Sequence, residues 1–261
     1  MNSLELKMVD TLKHLANDFA VVGIKAEFEA EGTRTEELMR LKEICLHSGM
    51  SLTLKIGGCE AIRDMYDARA VGVNHLVAPM VESRFALQKY LQAVDLVFPL
   101  DEQEEVEFLV NIETVVAAKN FGNMLDIPEI NKLDGMVLGR SDLSCSMGID
   151  KKDINGAEVF EVTKSTLMKA KEKNLTTVIG GTISVESIPF LSSLIDLGLI
   201  DRFETRKVCF SCPDALVKDT SEGIRKSLEF ELMWLQNKKN HYNRISGEDE
   251  VRLCSLSKRF A

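Results

Sequence analysis

Short apolar, β-branched runs alternate with amphipathic stretches from residue 19 to residue 208, and this rhythm limits the fold more than any other feature of the chain. The runs are Phe19–Ile24, Ser51–Ile56, His75–Met80, Asp95–Phe98, Val106–Ile112, Gly135–Leu138, Thr176–Ile179 and Arg202–Val208. Most lack polar alternation, which is how strands buried on both faces of a parallel sheet read. Between them, Thr33 and Glu36 have capping-box spacing, and Leu38, Leu41 and Cys45 follow on one helical face. Helical patterns also cover residues 59–71, 83–94, 156–173, 187–198 and 214–238, with a weaker start at Asp126–Glu129. The pattern predicts a (β/α)8 TIM barrel over residues 1–238, closed by a long C-terminal helix. Residues 239–261 then form a polar tail, with a short helix after Ser246. An open doubly wound sheet is the competing fold, but no G-x-G-x-x-G follows the first run. One interval is too short for a crossover helix, that between Asp95–Phe98 and Val106–Ile112. Either that crossover is degenerate or one of the runs is not a strand.

Composition narrows the function. With 261 residues and 45% hydrophobic content the chain can bury a large core. A net charge of −9 argues against nucleic acid as a partner. No apolar run is long enough to span a bilayer, and the N-terminus lacks the apolar segment of a secretory signal. Six scattered cysteines suit a reducing cytoplasm.

In a barrel, chemistry sits where the strands end. The first run leads into Lys25, Glu27 and Glu29, which alternation puts on one face, and the second ends at Lys55. Glu113 follows the fifth run, Gly139, Arg140, Ser141 and Asp142 follow the sixth, and the eighth carries Glu204, Arg206 and Lys207. Clustered carboxylates repel unless neutralised. A divalent cation such as Mg2+ or Mn2+ between two of them is one solution, and a plug of salt bridges is the other. Gly180-Gly181 either admits an anion or only makes a tight turn. Cys209-Phe-Ser-Cys212 has no second pair at zinc spacing, and the four histidines are scattered. Trp234 on the long helix reads as a core or subunit-contact residue.

Three blocks in order carry a resemblance: Leu76-Val-Ala-Pro-Met-Val81, Val110-Asn-Ile-Glu-Thr114 and Leu138-Gly-Arg-Ser-Asp-Leu-Ser144, with Gly148 soon after. Here the chain resembles the HpcH/HpaI aldolase–citrate lyase family of the phosphoenolpyruvate/pyruvate barrels. The resemblance implies that Glu113 and Asp142 bind Mg2+ or Mn2+. It implies that the backbone N–H groups of Gly139, Arg140 and Ser141 receive the carboxylate of a 2-oxo acid. It also implies carbon–carbon lyase chemistry through an enolate, in a homo-oligomer whose C-terminal region, residues 239–261 included, packs on a neighbouring subunit. The family pattern has an arginine where Lys55 stands and a histidine near Glu27 that this chain lacks. Lys55 is therefore the candidate electrophile, a Schiff-base nucleophile or a structural pair, Glu27 or a metal-bound water the base, and Lys25 and Arg206 contacts for the small carboxylate substrate. The alternatives are an acyl-CoA lyase or thioesterase, and a non-catalytic carboxylate-binding protein that has kept the barrel.

Overall fold

A computed structural model describes residues 1–260. Eight strands close into one barrel in chain order. They are β1 (Val21–Glu27), β2 (Ser51–Lys55), β3 (His75–Ala78), β4 (Glu107–Ile112), β5 (Gly135–Gly139), β6 (Thr176–Gly180), β7 (Arg202–Glu204) and β8 (Val208–Ser211). Helices α1 (Ser3–Phe19), α2 (Thr35–Ser48), α3 (Ile62–Val71), α4 (Arg84–Val97) and α5 (Leu100–Gln103) belong to the first half. Then come α6 (Val115–Met124), α7 (Arg140–Ser146), α8 (Ala157–Glu172), α9 (Ile188–Asp196), α10 (Asp214–Val217) and α11 (Thr220–Phe260).

The expected barrel is present, with two corrections to its strands. Asp95–Phe98 is not a strand: residues 95–97 close α4, and Phe98 is its C-cap. The short interval after it is thus explained, because β4 is the strand that follows α4. The run Arg202–Val208 is not one strand but the approach to a hairpin. Phe203 pairs with Phe210 and Glu204 with Cys209, so β8 runs antiparallel to both β7 and β1. A hairpin needs no crossover helix. Its turn, Thr205-Arg206-Lys207, therefore stands directly at the end of the barrel where β1–β7 finish.

Side-chain alternation sorts the strands into two layers. Ile24, Leu54, Leu76, Val110, Met136, Ile179 and Phe203 pack outward under the helices. Val77, Leu109, Val137 and Val178 form a separate small cluster inside the barrel. Above that plug, on the same parity, come Lys25, Glu27, Lys55, Asn111, Glu113 and Glu204, all buried polar groups except the partly buried Lys25. Parity alone thus puts charge at the open end of the barrel.

α2 starts one residue later than the capping-box spacing predicts: the Arg34 N–H donates to Glu37 Oε2 (3.1 Å). The C-terminal region is a single helix from Thr220 to Phe260, not a helix followed by a polar tail. Its first half packs on α1 and buries Ile224, Phe230 and Trp234, and residues 243–260 are exposed. All six cysteines are free. No described helix is long and apolar enough to cross a membrane.

Candidate active site

Glu113 sits one residue past β4 and is 2% exposed. Its Oε1 accepts the Met80 N–H (3.0 Å), and its Oε2 accepts Asn111 Nδ2 (2.6 Å) and Lys55 Nζ (3.3 Å). A buried carboxylate persists only with such partners. β4 and β5 are in register, Ile112 beside Leu138, so Glu113 lies against Gly139. A Cβ on Gly139 would fall 2.9 Å from both Cβ and Oε2 of Glu113, so this close approach requires glycine.

Lys55 is 6% exposed and also pairs with Glu29 (2.9 Å). Burial opposes its charge, but Glu113 and Glu29 outweigh that and hold the ammonium above the usual lysine range. Lys25 is held between Glu204 and Glu27, the latter at 3.0 Å. Its ammonium too is held up against burial by these two carboxylates. Glu27 is 3% exposed. Burial pushes its carboxyl up, but Lys25, Arg206 and Lys55 together pull it below the usual glutamate range. Glu27 Oε2 has no hydrogen-bond partner among the described residues, and the nearest cation is Arg206 Nη2 at 3.6 Å.

Arg206 comes from the hairpin turn and is half-exposed at the rim. It donates to Glu31 Oε1 (3.1 Å), and Lys207 pairs with the same carboxylate. Burial lowers the Lys207 ammonium despite that partner. The β1–α2 segment is therefore tied down at Glu27, Glu29 and Glu31 by cations from β1, β2 and the hairpin.

The Gly139–Ser141 turn opens α7. The Arg140 side chain does not face the mouth but is fully buried beneath the β6 loop. The backbone of the turn faces Gly181, which has φ +84°. A Cβ on Gly181 would lie 2.5 Å from the Ser141 nitrogen and 2.6 Å from the Arg140 nitrogen, so the glycine keeps a cradle over those N–H groups open. Ser141 Oγ and Thr182 Oγ1 hydrogen bond across it (2.8 Å). Two non-glycine residues with positive φ lie at strand ends on this rim, Met80 (φ 50°) and Thr182 (φ 48°). Backbone held this way is expected where function fixes geometry. Asp142, in the first turn of α7, is exposed and engages no protein donor among the described residues.

The structure therefore brings Lys25, Lys55, Glu27, Glu113, Gly139, Ser141 and Arg206 to one end of the barrel, and Asp142 follows Ser141 in the first turn of α7. Sequence reading did not single out Asn111, Glu31, or the Met80 N–H as a donor. Asn111 was accessible to it, because it lies two residues before Glu113 on the same strand face. Glu31 was not, because its partners come from a hairpin that the sequence does not announce.

Among the described residues no group of three or more His, Cys, Asp or Glu is arranged to hold a metal ion, so a cation here would rest on the Glu113 and Asp142 pair. The donor chemistry of that pair fits. Glu113 Oε1 accepts one hydrogen bond and keeps a second acceptor position, while both Asp142 oxygens are unengaged. Carboxylate oxygens suit Mg2+ or Mn2+.

The sequence model of the HpcH/HpaI aldolase/citrate lyase family matches residues 55–187, just over half of the chain. No curated protein matches the sequence. Among solved structures, the HpcH/HpaI aldolase from Desulfitobacterium hafniense DCB-2 superposes with a TM-score of 0.60 at 14% identity, over 83% of this chain and 87% of that one. The citrate synthase SbnG gives 0.61 at 14% identity, over 89% and 90%. The Haloferax volcanii malate synthase, in a magnesium/glyoxylate complex, gives 0.57 at 15% identity, over 76% and 65%. At such identities these likenesses establish the barrel.

Proposed function

This chain belongs to the HpcH/HpaI aldolase/citrate lyase family, and on that premise we propose that it is a divalent-metal-dependent carbon–carbon lyase of aldolase type acting on a 2-oxo acid. The observation that carries the reading is the contact of the buried Glu113 carboxylate with Gly139, the residue that opens the turn before Asp142. Glu113 and Asp142 would hold Mg2+ or Mn2+. When bound there, the ion would supply a Lewis acid for the keto group of the substrate.

The remaining roles fall to this chain's own groups. The backbone N–H groups of the Gly139, Arg140 and Ser141 turn bind the substrate carboxylate in the cradle that Gly181 leaves open. Lys55 supplies fixed positive charge beside Glu113 and opposes the negative charge that develops on the keto oxygen. Glu27 Oε2 is free to accept a proton. In the cleavage direction it takes the proton from the hydroxyl at carbon 4. The carbon 3–carbon 4 electron pair passes toward the keto group, an aldehyde leaves, and carbon 3 is then protonated. Lys25 reaches the substrate only through Glu27, which it orients, while Arg206 at the rim meets the far end of the substrate. The exposed half of α11 suits packing on a second subunit.

The test is exchange of the carbon 3 protons of pyruvate for deuterium, followed by NMR with magnesium present. Exchange that Glu113→Gln abolishes supports the reading, and exchange unaffected by that substitution refutes it.

A further inference from the structure

Arg140 is among the largest fully buried side chains of the described residues. Its guanidinium donates to the carbonyls of Gly180 (3.4 Å) and Gly181 (3.0 Å), to Asn155 Oδ1 (2.7 Å) and to Ser187 Oγ (3.2 Å). It also stacks over the Phe190 ring at 4.7 Å. Every one of these partners is neutral. Among the described residues no carboxylate pairs with it, and burial alone acts on its charge, moving it down to about 10. It is still a cation at neutral pH.

The contrast with its surroundings is sharp. Lys55 and Lys207, the other buried cations at this end of the barrel, and the partly buried Lys25 each have a carboxylate partner. A buried charge with no counterion is costly. Arg140 also grips the carbonyls of Gly180 and Gly181, the second of which faces its own backbone. Gly181 stands over the nitrogens of Arg140 and Ser141, so the guanidinium fixes one wall of the cradle whose other wall is the turn from which it grows.

We infer that Arg140 is a positioning residue whose missing counterion is the carboxylate of the bound ligand. The guanidinium sets the width of the slot between the β5 and β6 ends, and its charge favours a small anion there. This rests on the reading of Gly139–Ser141 as the carboxylate turn, and it adds a role for the side chain that the turn itself does not need.

The probe is oxalate, a small dianion of 2-oxo acid shape, titrated calorimetrically with magnesium present. Wild type is compared with Arg140→Lys and Arg140→Met. Methionine weakens oxalate binding on the order of tenfold to a hundredfold, as expected for losing a charge that acts through a water-poor interior. Lysine recovers part of the loss, and added guanidinium ion recovers part of it in the methionine variant at matched ionic strength. Pyruvate exchange in the methionine variant shows a raised KM with kcat within a few-fold. Equal losses in both variants, or no loss in either, overturn the inference, because packing alone would then account for the residue.

Should Arg140→Met fail to fold, Asn155→Asp supplies an internal counterion with the guanidinium left in place. It must weaken oxalate binding, and unchanged affinity overturns the inference. Wild type that binds oxalate but exchanges no deuterium refutes the lyase reading and leaves Arg140 standing. Wild type that binds no oxalate refutes the Arg140 inference.

Discussion

The Lys55 ammonium lies 3.3 Å from Glu113 Oε2, and with Glu29 at 2.9 Å it is clamped between two carboxylates. Both stabilise its charged form, so it is a fixed cation and a poor carbonyl nucleophile. Incubation with pyruvate and cyanoborohydride is expected to leave the mass of the protein unchanged, whereas an adduct at Lys55 would make it a Schiff-base enzyme. Lys55→Arg keeps the charge and should retain measurable pyruvate exchange, while Lys55→Met should lose roughly a hundredfold or more.

Glu27 has its carboxyl pulled below the ordinary glutamate value of about 4.3 by Lys25, Arg206 and Lys55, against the opposing effect of burial. A group whose pKa is depressed by folding adds stability above its unfolded pKa and loses it as pH falls through the folded value. Its contribution is thus complete at pH 7 and declines below about pH 4.3. Urea unfolding at pH 7 and again near pH 4 should show a smaller acid penalty for Glu27→Gln than for wild type. The same variant should lower turnover by about a hundredfold or more, since the amide cannot accept the proton.

Gly139→Ala forces a methyl to within 2.9 Å of Glu113 Cβ and Oε2. The carboxylate must move away from Met80 and Lys55, and its buried charge loses partners. Exchange activity should fall by at least tenfold in a protein with unchanged circular dichroism. A Gly139→Ala enzyme with wild-type kinetics would show that Glu113 is not placed for catalysis.

Most of the barrel was legible because strands buried on both faces have little polar alternation to confuse them, as in Phe108, Leu109 and Val110 of β4. Asp95–Phe98 misled because a three- or four-residue apolar run reads the same at the end of a helix as in a strand. The hairpin at Thr205–Lys207 was hidden for a different reason. It contains no Gly, Pro or Asn, the residues by which a tight turn usually declares itself. What the sequence could not supply was pairing. Lys25, Glu27 and Lys55 could be placed at the mouth by parity, but which carboxylate holds which cation depends on a β8 that runs backwards.

Tyr242 is the last residue of α11 with a specific hold on the barrel. Its hydroxyl donates to Glu37 Oε1 (2.7 Å), and Arg34 stacks on its ring at 4.5 Å. Truncation after Asn243 should therefore leave the melting temperature within a few degrees of wild type. Truncation after Lys239 also removes Tyr242 from the buried Glu37, and the midpoint should drop by several degrees more. Light scattering on the first truncation reads whether residues 244–260 hold subunits together: a fall in mass is expected.

At the opposite end of the barrel, His75 is a pH-sensitive element of stability. Its Nδ1 lies 3.0 Å from Thr53 Oγ1, and its Nε2 is 3.0 Å from Arg202 Nη1, which can only donate. Nε2 is thus the acceptor and the ring is neutral. Burial first, then the neighbouring Arg202, lowers its pKa to about 4, against the pull of Glu107. The unfolded chain takes up this proton below about pH 6.5 and the folded chain does not. Stability from His75 is therefore whole above about pH 6.5 and drains away as pH falls toward 4, a loss on the order of 3 kcal/mol. His75→Gln preserves an acceptor for Arg202 without the titrating ring. It should flatten the difference in unfolding free energy between pH 7 and pH 4.5, and an equally steep difference in that variant would show that other groups carry it. The His75 ring resonances should likewise stay in their neutral positions at pH 5.5.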